Sequence, residues 1–192
     1  MDRKWIGLVG PAGVGKDHTF TEINKIDPLA VRVALADGVR LDIEKVLGMH
    51  IPALWEKPYS GTIRRLLQWW GTDLRRDQDP EYWIRKAEIR VAEFRSDLDV
   101  YPVFTDIRFE NEGWMVRRHG GILVRVMASD AVRRKRLGEL PPDHASETEQ
   151  DAIQCDWQIV SERGNEGYDT YLSVEYEDTL LAILVDSGFT TD

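Results

Sequence analysis

The stretch GLVGPAGVGKDHTF, from Gly7 to Phe20, decides how the rest of the chain is read. Gly10, Gly15 and Lys16 meet the phosphate-loop pattern G-x-x-x-x-G-K-[ST] up to its last position. There Asp17 replaces the usual hydroxyl. The apolar run KWIGLVG leads into the loop as a buried strand, and a helix is expected from about Gly15 to Lys25. That context gives the pattern a mechanism. Gly10, Gly13 and Gly15 let backbone N–H groups turn inward past Ala12 and Val14, and the helix start adds about half a positive charge. Lys16 supplies a point charge for outer phosphates. The same letters also suit a glycine-rich turn with no ligand. Asp17 has three readings of its own. It answers the helix dipole, it holds magnesium, which removes the repulsion between a carboxylate and a triphosphate, or it faces the acceptor phosphate.

Composition limits what such a loop can serve. The chain has 192 residues, 42% hydrophobic and 31% charged, which suits one globular domain. A net charge of -9 argues against stable nucleic-acid binding and requires local arginines around any anionic ligand. Cys155 is the one cysteine, so no internal disulfide or cysteine-rich zinc site forms. No secretory signal and no apolar run near the roughly 20 residues of a bilayer span is present. The expectation is a cytoplasmic protein.

Further strands are expected at 30–36, 100–106, 122–127 and 156–160. Helices are expected at 38–48, at 61–76 with an interruption near Gly71, from Pro80 to Leu98, after Arg108, at 129–139 with Ser129 as N-cap, and near the end. The alternation predicts an α/β P-loop three-layer sandwich, with a mostly parallel five-stranded sheet flanked by helices. It is read as a single domain, 1–192, with a helical insertion at about 38–98 and a lid at about 129–150.

Several polar groups stand out against this frame. Arg64, Gln68, Thr72 and Arg76 recur every four residues, one helical face on which an arginine fork suits a monophosphate and Gln68 suits a base. A solvated face is the alternative. Trp69, Trp70 and Trp83 read as core. Asp37 follows the second strand, either as a helix N-cap or as a ligand group at the sheet edge. Asp106 ends the third strand, where an acid holds the magnesium shell in phosphate-loop enzymes, and Arg108 follows on the same edge. Asn111 and Glu112 suit the cap and start of the next helix. Arg133, Arg134, Lys135 and Arg136 crowd one short helix. They are a solvated face, or lid cations that offset charge during phosphoryl transfer.

The sequence also resembles a family. GKD in place of GK[ST] is similar to bacteriophage deoxynucleoside monophosphate kinases, and also to phosphomevalonate kinases. LADGVRLDIEKVLG, TIRRLLQWWGTDLRR, FTDIRFENEGWMVRRHGGILVRV and DHASE resemble the phage family in order, from the loop to about Glu147. His18, Asp73, Ile63 and the ADG triplet depart from it. The resemblance implies ATP as donor, held at Gly10, Ala12, Gly13, Val14, Gly15, Lys16, Asp17 and His18, with Mg2+ near Asp17 and Asp106. It implies an acceptor nucleotide held by Asp37, Arg40, Arg64, Gln68, Thr72, Arg76, Asp106, Arg108 and Glu147. The catalytic set is then Lys16, Asp17, Arg108, Arg133 and Arg136, with His144 and Ser146 helping to place the lid. Small-molecule nucleotides are the expected partners, a membrane is not, and a homodimer stays open. Two other readings stay open as well: a kinase for another small phosphate ester, and a nucleotide-binding regulatory module without turnover.

Overall fold

The computed structural model describes residues 3–56, 59–95, 100–140, 149–161 and 174–190. The chain divides into two compact units, Met1–Arg32 with Asp99–Asp192, and Val33–Leu98. The expected insertion falls inside the second.

A five-stranded sheet runs in the order β2-β3-β1-β4-β5, built from β1 (Ile6–Val9), β2 (Ala30–Val33), β3 (Tyr101–Ile107), β4 (Ile122–Met127) and β5 (Trp157–Val160). The pairings of β1 with β3, β1 with β4, and β4 with β5 are parallel. Continuous apolar runs such as IGLV and ILVRVM suit strands covered on both faces. Side chains alternate across the sheet. Ile6, Leu8, Val103, Val124 and Val126 join one core with Ile23 of α1 (Lys16–Ile26) and with residues of the last helix. Leu123 faces the other way, on the side covered by α5 (Glu110–Arg118), whose Met115 and Val116 are fully buried. The last helix, α7 (Val174–Asp186), brings Tyr176, Leu180, Ile183 and Leu184 into the first core.

The second strand is shorter than expected. It stops at Val33, and α2 (Leu35–Leu47) begins where strand was expected. VALA is ambiguous by pattern, and alanine and leucine favour helix once Leu35, Val39 and Ile43 have a face to bury. Asp37 is therefore in the first turn of α2, not its N-cap, which is Ala34. The expected break at Gly71 is absent. Helix α3 (Gly61–Gln68) continues directly into a π-helical segment, Trp69–Arg76. Helix α4 (Tyr82–Arg95) follows. Gly71 is buried against Val39, and its carbonyl accepts from Trp83 Nε1 at 2.7 Å, so it serves packing rather than a stop. Trp83 is core, but Trp69 is about half exposed at 49%. Helix α6 (Asp130–Leu137) starts at Ser129, whose Oγ accepts from the Val132 N–H at 3.4 Å. No helix among the described residues is long and apolar enough to cross a membrane.

Candidate active site

The loop joins the end of β1 to the start of α1, at the carboxyl edge of a parallel sheet, where such folds bind ligands. Its shape depends on glycine at two positions above all. Gly10 has φ 146°, and a Cβ there would lie 2.4 Å from the Val126 carbonyl oxygen. Gly15, the residue before α1, has φ 105°, and a Cβ would lie 2.6 Å from Ser161 Oγ. Both positions exclude a side chain by conformation and by space. Val14 is buried and anchors the loop in the core. Lys16 Nζ donates to the carbonyls of Gly10 and of Pro11, the latter at 3.1 Å, so its charge lies across the mouth of the loop.

Asp17 occupies the first turn of α1 with its side chain 55% exposed. Arg32 Nε lies 3.4 Å from its Oδ1, a neighbour that the sequence did not single out. His18 turns toward Glu22 of its own helix, with Nδ1 3.7 Å from Oε1. Thr19, one residue later, does not replace the missing loop hydroxyl. It is fully buried, and its Oγ1 accepts from the Tyr176 hydroxyl at 3.0 Å. Asp106 is half-buried near the end of β3, and the register pairs Val9 with Ile107. The parallel pairing thus sets Asp106 beside the strand end that leads into the loop. Asp17 and Asp106 offer hard carboxylate oxygens. That donor set fits Mg2+, which takes one or two carboxylates and fills its other positions with water and phosphate oxygens.

The arginine-rich helix resolves into two sides. Arg133 Nε donates to the Ala12 carbonyl at 3.0 Å, and its Nη1 to Asp130 at 2.8 Å. Arg136 Nη1 donates to the Gly13 carbonyl at 2.9 Å, and its Nη2 to the Ser161 carbonyl at 2.7 Å. The two are three residues apart and share a face. Arg134, Lys135 and Arg136 are exposed, and Arg136 still reaches the two carbonyls. In this arrangement Arg133 and Arg136 hold the backbone of the loop. Glu112 proves to be the cap of α5: its Oε2 accepts from the N–H of Arg108 at 2.7 Å and of Phe109 at 3.1 Å. Asn111 lies in the first turn, after the N-cap Phe109. The Arg108 backbone is thereby fixed at the edge that carries Asp106. His144, Ser146 and Glu147 lie outside the described residues.

The acceptor candidates Asp37, Arg40, Arg64, Gln68, Thr72 and Arg76 belong to the second unit. Asp37 and Arg40 are both buried. Arg40 donates to the Leu54 carbonyl at 2.8 Å, to Asp37 at 2.5 Å and to the Tyr59 hydroxyl at 2.5 Å, and its guanidinium lies over Trp55. Arg90 approaches the other oxygen of Asp37 at 3.5 Å. In this structure, then, Arg40 braces Leu54, Trp55 and Tyr59. Arg64, Gln68, Thr72 and Arg76 are half-buried. Gln68 ends α3, and past it the hydrogen-bond ladder advances five residues at a time. Arg76 Nη1 reaches the Pro80 carbonyl at 3.5 Å.

Asp42 is the feature the sequence reading missed. It is 5% exposed and accepts hydrogen bonds from Trp70, Arg75, Tyr82 and Lys86. Burial alone would raise its pKa. Hydrogen bonds from Lys86, Trp70 and Tyr82, with the charge of Lys86, outweigh that and bring it down to about 2. Burial opposes the charge of Lys86 in turn, but its bonds to Asp42 and Tyr82 raise its pKa. A signal for Asp42 existed: Leu35, Val39 and Asp42 follow the i, i+4, i+7 pattern of a buried stripe, with an acid at the third place. A cavity of about 410 Å³ also lies in the second unit, lined among others by Leu41, Asp42, Lys45, Trp83, Lys86 and Ile89. None of the six acceptor candidates lines it.

The sheet order, the glycine loop and the flanking helices define a three-layer α/β fold with a phosphate loop. Among solved structures, the chain is similar to TT1252 from Thermus thermophilus, with a TM-score of 0.57 and 18% identity over 99% of this chain and 100% of that one. At that identity the likeness shows the fold. It is also similar to shikimate kinase from Aquifex aeolicus vf5, with TM-score 0.46 and 16% identity over 94% and 93% of the two chains. A gluconokinase from Sinorhizobium meliloti 1021 gives TM-score 0.47 and 14% identity over 97% and 93%. These two weaker likenesses carry no argument of their own. No protein-family profile and no curated protein matches the chain.

Proposed function

We propose that the protein transfers a phosphoryl group from ATP to a deoxynucleoside monophosphate, giving ADP and a deoxynucleoside diphosphate. The observation that carries the reading is the loop. Its glycines admit no side chain, Lys16 crosses its mouth, and Asp106 stands at the neighbouring strand end. The acceptor class is supported by the ordered resemblance of the later stretches to the phage kinases.

In this reading an acceptor phosphate oxygen attacks the γ-phosphorus in line. The bond from that phosphorus to the β–γ bridging oxygen breaks, and ADP leaves with the electron pair. No covalent enzyme intermediate is needed, because catalysis of this kind is positioning and electrostatics. Loop N–H groups and Lys16 hold the donor phosphates, Lys16 exchanging its carbonyl partners for phosphate oxygens. Mg2+, when bound near Asp17 and Asp106, offsets charge on the β- and γ-phosphates. Arg133 and Arg136 fix the loop through its carbonyls and are positioning residues. Arg108 supplies positive charge on the edge that carries Asp106. Arg64, Gln68, Thr72 and Arg76 bind the acceptor, while Asp37 and Arg40 hold the backbone around it.

The test is ADP release from ATP and magnesium with each common nucleoside monophosphate in turn, and with unrelated small phosphate esters. Acceptor-dependent ADP with one or more deoxynucleoside monophosphates is expected. Turnover confined to another ester, or tight nucleotide binding with no acceptor-dependent ADP, would contradict the reading.

A further inference from the structure

Trp70 Nε1 and Arg75 Nε donate to the same oxygen of Asp42, Oδ2, at 3.0 Å and 3.1 Å. The two donors are five residues apart. An α-helix turns about 100° per residue, so residues five apart point about 140° away from each other. A π-helix takes more residues into each turn, so residues five apart point much less far from each other. Asp77 N–H bonds to the Thr72 carbonyl at 3.1 Å, the five-residue step itself. The other oxygen, Oδ1, accepts from Tyr82 at 3.0 Å and Lys86 at 2.7 Å, both on α4. Arg75 also lies over the rings of Trp70 and Tyr82, and Lys86 over Tyr82 and Trp83.

A π-helical segment is rare and persists where contacts outside its own backbone hold it. Nothing in the sequence WWGTDLRR demands it. One buried acceptor on α2 collects two donors at a spacing that an α-helix would point about 140° apart. We propose that Asp42 is a positioning residue that holds Trp69–Arg76 in π register and so fixes the directions in which Thr72 and Arg76 are presented to the acceptor. The register depends on the geometry alone. The consequence for the acceptor rests on the proposed function.

The experiment separates these two parts. Amide and indole hydrogen exchange is followed by NMR in wild type, Asp42→Asn and Trp70→Phe, and both Michaelis constants are measured for each. In Asp42→Asn, exchange at amides 73–77 and at Trp70 Nε1–H is expected to rise at least about tenfold relative to β3 and α5 amides. Trp70→Phe removes one donor and keeps the core filled, so it gives the same local pattern more weakly and covers the case in which Asp42→Asn folds poorly. Unchanged relative exchange at 73–77 in both variants would overturn the proposal, leaving Asp42 an ordinary core ion-pair partner. If exchange rises as expected, the acceptor constant rises about tenfold while the ATP constant moves less than twofold. Faster exchange with an unmoved acceptor constant supports the register role and refutes the acceptor role of this helix.

Discussion

The phosphate loop and the π-helical segment are each about eight residues long, yet their shapes have different origins. The loop is shaped from within. Gly10 and Gly15, close in sequence, supply conformations that other residues resist, and Arg133 and Arg136 of α6 then hold the loop's carbonyls. The segment Trp69–Arg76 is shaped from outside, by Asp42, which stands 28 residues before Trp70 in the chain. A local motif can announce the first kind of structure. The second kind is a tertiary override of local propensity, and it appears when the partner is found. The two regions also separate the expected kinetics: changes at the loop should move the donor, and changes around the π-helical segment should move the acceptor.

The sharpest way to break that contrast is Lys16→Ala. Phosphoryl transfer should fall by about a thousandfold or more, since the donor phosphates lose their point charge in the transition state. Circular dichroism and the unfolding midpoint should stay near wild type. Full turnover by the folded variant would remove the loop from the chemistry. Gly10→Ala attacks the same region through its shape. The strained φ and the Val126 carbonyl together should cost about 2–4 kcal/mol in a urea titration. A neutral result would mean the loop relaxes freely and is not held from within.

Asp17→Asn should raise the magnesium needed for half-maximal turnover about tenfold, with Asp17→Ser recovering part of the loss. If the magnesium curve stays put while the acceptor constant moves, Asp17 faces the acceptor. If neither moves, it answers only the helix dipole. Arg136→Ala removes the bonds to Gly13 and Ser161. The ATP constant should rise about fivefold to tenfold with the acceptor constant unchanged. A rise in the acceptor constant instead would show that Arg136 works on the transferring group or its acceptor.

The smallest expected effect is thermodynamic and lies in the second unit. Asp42 has a folded pKa near 2, below the ordinary 3.8, so its contribution to stability is full above about 3.8 and is lost as pH falls through about 2. The stability gap between wild type and Asp42→Asn should therefore narrow between pH 4 and pH 2, as read by urea unfolding. A gap that does not change across that window would show that the carboxylate charge is not what holds the three helices.

The same contrast explains what the sequence could show. The strands β1, β3 and β4 and the helix after Arg108 were legible because continuous apolar runs and the glycine pair mark their ends. Ser129 as N-cap was legible because its hydroxyl needs only the next turn. The boundary at Val33 was not, because VALA suits strand or helix until α2 has something to pack against. The equal spacing of Arg64, Gln68, Thr72 and Arg76 gave no sign that the helix type changes after Gln68, because that change depends on partners outside the segment. The division among the four basic residues of α6 was hidden for the same reason: it depends on where the loop carbonyls of Ala12 and Gly13 lie. For Arg40 the resemblance of LADGVRLDIEKVLG implied an acceptor ligand. Its three hydrogen bonds go to Asp37, Leu54 and Tyr59, and that meeting is a tertiary fact.

The central claim is direct transfer from ATP to a deoxynucleoside monophosphate. It is tested most directly by following ATP, magnesium and each common deoxynucleoside monophosphate by phosphorus NMR, with Lys16→Ala as the control. For at least one acceptor, ADP and the deoxynucleoside diphosphate are expected in equal amounts without inorganic phosphate, and neither is expected with Lys16→Ala. ADP accompanied by inorganic phosphate, or no new resonance with any of these acceptors, would contradict it.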